Sequence, residues 1–179
     1  MSLAIANTTV SSGPLATYAA AWAAFAPVAT PTNIFSITGS ATKTIRVLRI
    51  GFSATRTTAT VTNVQLNRYT SALTGGTPVA PTAVVKYDTN SANSTATAVT
   101  YTANTTGGGA GTANIRNIKM VVPTATPTGA SQNEYIFDYT ANYSESLVLR
   151  GTSEVIALTL LSTTMTGGSV CMWVEWTEE

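Results

Sequence analysis

The sequence predicts an all-β protein: an antiparallel two-sheet, jelly-roll-like sandwich preceded by an N-terminal arm. Three observations carry this expectation. Short apolar segments recur at roughly the spacing of sandwich strands and are divided by Gly, Pro, Asn and Asp turns. Thr is heavily used, and its branched β-carbon suits a pleated surface that is polar without being charged. Residues 146–179 read as three strands with legible turns, and in the last strand Val170, Met172, Val174 and Trp176 alternate with Cys171, Trp173, Glu175 and Thr177. There is no room between these three for helical crossovers, so they are expected to be antiparallel neighbours of one another.

From the N-terminus, residues 1–13 are small, polar and without period, which suits an extended end. Residues 14–26 admit two readings. As a helix, with Ser12 as N-cap and Pro14 in the first turn, Leu15, Tyr18, Trp22 and Phe25 fall on one stripe. As a strand, Tyr18 and Trp22 share a face and Phe25 points away. Either way these apolar groups need a surface to cover them. The chain is therefore divided into an arm or docking segment, residues 1–32, and a sandwich, residues 33–179.

The sandwich begins with a strand at 33–37, turned at Gly39 into a second at 43–52. That second strand has a parity break, because Ile45 and Val47 share one face while Leu48, Ile50 and Phe52 share the other. A β-bulge at Val47-Leu48 would turn all five inward and both Arg46 and Arg49 outward. A strand buried on both faces would bury two arginines at high cost. Further strands are expected at 59–69, 83–87, 98–102, 115–122 and 133–139, then at 146–149, 155–161 and 170–177. From Lys43 onward there are about eight main strands, the number for a jelly roll.

Composition limits what such a domain does. The chain has 179 residues, enough for one sizeable core, yet only 9% are charged, against about 25% in ordinary domains. A low-charge Thr/Ser/Ala surface is unusual for a free monomer and suits burial in a larger assembly. A net charge of +1 gives no field to steer nucleic acid or an anionic membrane, so neither is expected as a partner. No run of about 18 apolar residues is present to span a bilayer as a helix. The Ala-rich stretch at 15–29 lacks a basic leader, since the first Lys or Arg is Lys43, so assembly in a cytoplasm is expected. Cys171 is the single cysteine and reads as a small strand residue.

Catalytic chemistry finds little material. With no histidine, Ser-His-Asp and Cys-His systems and His-ligated metals are excluded. Glu134 and Asp138 share strand parity and read as outward residues rather than a glycosidase pair. Asp88 and Asn90 form only a fragment of a calcium loop and are assigned to a turn. Gly107, Gly108 and Gly109 make a loop tip without the lysine or helix of a phosphate loop. No catalytic residue, cofactor or metal site is expected.

Binding features remain. Lys43, Arg46, Arg49 and Arg56 form the basic cluster, read either as contacts to acidic groups of a partner protein or as solvated charges that keep a sheet from aggregating. Tyr135, Phe137 and Tyr139 share a face, which suits core packing better than a sugar platform. Trp173 should point away from the core. The candidate interface is therefore Tyr18, Trp22, Phe25, Arg46, Arg49 and Trp173.

The runs TPTNIFSITGSATKTIRVLRIGFSA, TGGTPVAPTAV, YTANTTGGGAGTANIR and LVLRGTSEVIAL…GGSVCMWVEWTEE resemble small β-proteins encoded among tailed-phage structural genes. The family closest in shape and role is the jelly-roll decoration, or cement, proteins of phage heads. That resemblance implies a homo-oligomer, a trimer before a dimer, on the outside of the virion, with the major capsid protein as partner. It brings no catalytic motif. The competing reading is a receptor-binding, carbohydrate-binding domain of a phage tail or fibre.

Overall fold

The computed structural model describes residues 15–27, 32–107, 113–124, 133–140, 145–161, 165 and 167–179. All regular structure among these residues is β. Strands β1 (Ala16–Phe25), β3 (Thr44–Thr55), β7 (Val84–Lys86), β11 (Tyr135–Asp138), β12 (Leu147–Arg150) and β14 (Ser169–Glu178) form sheet A. Its order is β11-β3-β14-β1-β7, with β12 joining β3 beside β11. Sheet B runs β10-β4-β13-β2-β8-β6. Its strands are β2 (Thr32–Thr38), β4 (Thr60–Tyr69), β6 (Pro78–Val79), β8 (Thr97–Tyr101), β10 (Ala113–Val122) and β13 (Val155–Leu160). A short ribbon pairs β5 (Leu73–Gly75) with β9 (Thr105–Gly107). All ladder pairing between these strands is antiparallel. The two large sheets pack as the expected sandwich, with Val47, Ile50, Phe52, Val174 and Trp176 of sheet A meeting Phe35, Ile37, Leu66, Ile156 and Leu158 of sheet B in one core.

The bulge lies where the parity break places it. Glu175 pairs with Arg49 and Trp176 with Val47, so Leu48 has no counterpart on β14. Ile45, Val47, Ile50 and Phe52 are buried as a result, and Arg46 and Arg49 turn outward. Leu48 itself is only half-buried, short of the inward position expected for it. On the opposite side of β3 the partners change at the same residue. β12 pairs with residues 44–47 and β11 with residues 49–52, while the Leu48 carbonyl accepts the Tyr139 N–H at 2.8 Å.

Residues 14–26 resolve as a strand over their described part. β1 lies between β14 and β7, inside sheet A. Alternation sends Tyr18, Ala20 and Trp22 into the core. A register shift between Trp22 and Phe25 then returns Phe25 to the core side, where it packs half-buried, instead of pointing away. The division at residue 32 therefore does not separate a docking segment from the sandwich, because residues 16–25 supply one of its inner strands. The proposed N-cap and the start of the arm, residues 1–14, lie outside the described residues, as does most of the glycine tip.

The last three strands are not neighbours of one another, contrary to expectation. β12 pairs with β3, β13 with β2 and β4, and β14 with β1 and β3. Their connections cross from one sheet to the other and back, a pattern consistent with a jelly roll. An arch between sheets and a hairpin use the same turn residues, so the local sequence does not separate them. The position of β13 explains its composition. Ile156, Leu158 and Leu160 face the main core, while Val155 and Ala157 pack with Tyr69 and Leu73 on the other side of sheet B. On that same side Thr159 donates to Asn33 Oδ1 at 2.6 Å and accepts from Asn67 Nδ2 at 2.9 Å, so the polar groups buried there are paired.

Candidate interface on the outer face of sheet A

The six residues singled out in the sequence divide into two sets. Tyr18 and Trp22 belong to the core and not to a surface. Tyr18 stacks on Trp176 with centroids 5.8 Å apart and donates to the Ala92 carbonyl; Trp22 meets Phe35 edge-on and donates from Nε1 to the Val79 carbonyl at 3.1 Å. Aromatics this size gain most from a dry, shaped environment, and the inside of the protein's own sandwich supplies it. Phe25 packs on the edge of the same core. Arg46, Arg49 and Trp173 lie together on the outer face of sheet A.

That face is organised in rows across the strands. One row runs Ala19, Glu175, Arg49, Asp138, and the next runs Ala21, Trp173, Gly51, Ile136. Trp173 is half-buried on this face because Gly51, directly opposite it, has no side chain. A Cβ on Gly51 would collide with the indole ring. The ring is fixed at its far end by Nε1, which donates to Glu134 Oε1 at 2.7 Å. Around it lie small or apolar groups: Ala21 and Ala23 on β1, Cys171 on β14, and Ile136, half of whose surface is exposed. The Cys171 thiol is exposed and points at the Ala23 carbonyl.

The two arginines on the face are matched within the chain. Arg49 Nε donates to Asp138 Oδ2 at 3.1 Å and Nη1 to Glu175 Oε2 at 3.4 Å. Arg46 pairs with Glu179, and the Tyr87 hydroxyl donates to Glu175. Hydrogen bonding to Asp138 above all raises the Arg49 guanidinium above its ordinary value. The Thr140 hydroxyl and N–H, more than Arg49, hold the Asp138 carboxyl below the usual range. Arg46 and Arg49 thus already hold acidic groups of their own chain, and the expected contact to a partner's acids would require exchanging these pairs. Arg56 diverges from the cluster, since its N–H bonds the Pro123 carbonyl at the far end of β3.

Tyr135, Phe137 and Tyr139 face inward, with Tyr135 and Phe137 against Phe52. Glu134 and Asp138 face outward, to Trp173 and Arg49 respectively. Asp88 closes a turn by accepting from Asn90 N–H at 2.9 Å. Beside the face, β12 borders a cleft of about 500 Å³ lined by Arg46, Arg68, Glu145, Arg150 and Glu154. Arg68 spans it to the Val148 carbonyl and to Glu154. No group of His, Cys, Asp and Glu among the described residues is placed to hold a metal ion.

Sequence reasoning missed Gly51 and the acidic partners of the arginines. Gly51 carried a readable signal, because a glycine inside a strand marks a close approach by another group. The acidic partners did not, since Asp138, Glu175 and Glu179 come from strands distant in sequence.

No family model matches the chain, and no curated protein or solved structure matches it either.

Proposed function

We propose that this chain is a structural virion protein, a decoration protein that binds the outside of a phage head and stabilises it by bridging shell subunits. The outer face of sheet A is its contact surface. The observation that carries this reading is the row Ala21, Trp173, Gly51, Ile136. It presents a tryptophan held rigid by a glycine seat and a carboxylate, beside small side chains that have little conformational freedom to lose. Tryptophan and arginine are the residue types that most often dominate protein–protein binding energy, and rigid anchors bind with less ordering cost. Around the row the carboxylates Glu134, Asp138, Glu175 and Glu179 outnumber Arg46 and Arg49, which suits docking on a protein lattice better than on nucleic acid. The resemblance of several runs to phage structural proteins supports the same reading.

The receptor-binding alternative has less support, because Tyr135, Phe137 and Tyr139, which would have made a sugar platform, pack inward instead. Incubating purified heads that lack the protein with wild-type chain and with Trp173→Ala tests the proposal. Wild type is expected to co-sediment with the shells and to resist removal. The variant, still folded with a cooperative thermal transition, is expected to bind at least about tenfold more weakly, the loss typical of a tryptophan anchor. Equal binding by both would remove the face from the contact.

A further inference from the structure

The segment between β7 and β8, residues 87–96, crosses from sheet A to sheet B over one end of the sandwich. Its end, residues 94–96, is held there by one carboxylate. Glu178, near the end of β14, is 5% exposed, yet it is an ionisable group with no cation among its hydrogen-bond partners. Its oxygens accept from the Ser94 hydroxyl at 2.6 Å, the Thr95 N–H at 3.0 Å, the Thr95 hydroxyl at 2.8 Å and the Ala96 N–H at 3.1 Å. The Trp176 indole N–H donates at 3.0 Å from below. Two further ties help: the Tyr18 hydroxyl donates to the Ala92 carbonyl at 2.9 Å, and Lys86 Nζ to the Ser91 carbonyl at 2.8 Å.

We propose that Glu178 is an acid-sensitive latch: protonating its carboxylate releases residues 94–96 from the end of the sandwich while the two sheets stay paired. Bonds to an ionised acceptor are about twice as strong as neutral ones, so protonation weakens all of these contacts at once. The new O–H would face two amide N–H groups and an indole N–H, none of which can accept it. Only the two hydroxyls can turn to do so. The backbone ladders on either side contain no carboxylate, and the ion pairs of Arg46 and Arg49 that cross sheet A do not touch residues 94–96.

Residues 94–96 depend on Glu178 alone among the described carboxylates, the other one tied to this connection from a strand being Glu175, which accepts from the Tyr87 hydroxyl at its start. On β1 the neighbouring titratable group is Tyr18, on β3 it is Arg46 in its pair with Glu179, and on β7 it is Lys86 with Ser91. Asp88, within the segment, holds Asn90. Burial pushes the Glu178 carboxyl up, but the bonds from Ser94, Trp176 and Thr95 outweigh it and leave it below the usual 4.5. The latch is therefore closed above that value and opens as pH falls through the lower value of the folded protein.

Amide hydrogen exchange and ¹⁵N spectra of the full chain, followed from neutral to acid pH, test this. Protection of Thr95 and Ala96 is expected to fall at least about tenfold in acid, in step with a shift of the Trp176 indole N–H, while Ile156 and Leu158 stay protected. Glu178→Gln should show the open segment at neutral pH. Should that variant fail to fold, Ser94→Ala with Thr95→Ala decides, since removing both hydroxyl donors must move the opening to higher pH. Loss of protection at Thr95 and Leu158 together, protection of Thr95 that survives acid, or an unmoved midpoint in the double variant would each overturn the proposal.

Discussion

The indole of Trp173 occupies the space left by the missing side chain of Gly51, directly across the β14–β3 ladder. The pair makes the outer face of sheet A flat where a tryptophan would otherwise stand out. Gly51→Val should push the ring away from β3 and break its bond to Glu134. The expected cost is about 1–3 kcal/mol, the usual range for overpacking, with increased acrylamide quenching of Trp173 fluorescence in a Trp22→Phe, Trp176→Phe background. Unchanged quenching would show that the ring is not seated on Gly51.

Deleting residues 1–31 should abolish cooperative unfolding. β1 lies between β14 and β7, and its loss strips β14 of a ladder and the core of Tyr18, Ala20 and Trp22. Trp22→Ala alone should destabilise by about 3–5 kcal/mol in chemical denaturation. A truncated chain that still melts sharply by calorimetry would return this segment to the role of a separable arm.

The bulge separates two nearby positions of β3 energetically. Ile50 is fully buried, and Ile50→Ala should cost about 2–5 kcal/mol. Leu48 sits half-exposed at the bulge, and Leu48→Ala should cost clearly less, about 1 kcal/mol. Equal costs in urea titrations would mean that Leu48 is part of the core after all.

The carboxyl of Asp138 should titrate below the ordinary 3.8 in ¹³C spectra. Its largest support is the Thr140 hydroxyl at 2.6 Å, so Thr140→Val should move the midpoint up toward 3.8. For a group lowered in the folded state, the contribution to stability is present above 3.8 and fades as pH drops through the folded value. A midpoint unmoved by Thr140→Val would show that the hydroxyl does not set the value and leave it to the Thr140 N–H and Arg49.

What the sequence made legible follows from what is local. The strand positions rest on period-two patterns that a few residues contain, and the parity break at Val47-Leu48 located a bulge because five apolar side chains disagreed about one face. Pairing partners are not local. β12, β13 and β14 read as a meander because an arch and a hairpin share turn chemistry, and only the full sandwich decides between them. The same limit explains the site. Trp173 could be assigned outward from its own strand, whereas its seat on Gly51 and its tie to Glu134 depend on β3 and β11 lying together. Tyr18 and Trp22 were assigned to an interface because an all-β body was expected to begin after them, and their own alanine-rich strand gave no β-branched signal.

Imaging of intact particles by electron cryomicroscopy tests the proposed role most directly. The expected result is density for the sandwich on the outer surface of the head lattice, with the row Ala21, Trp173, Gly51, Ile136 against the major capsid protein. Density at the tail or fibres, or a head-bound copy with that row turned to solvent, would contradict it.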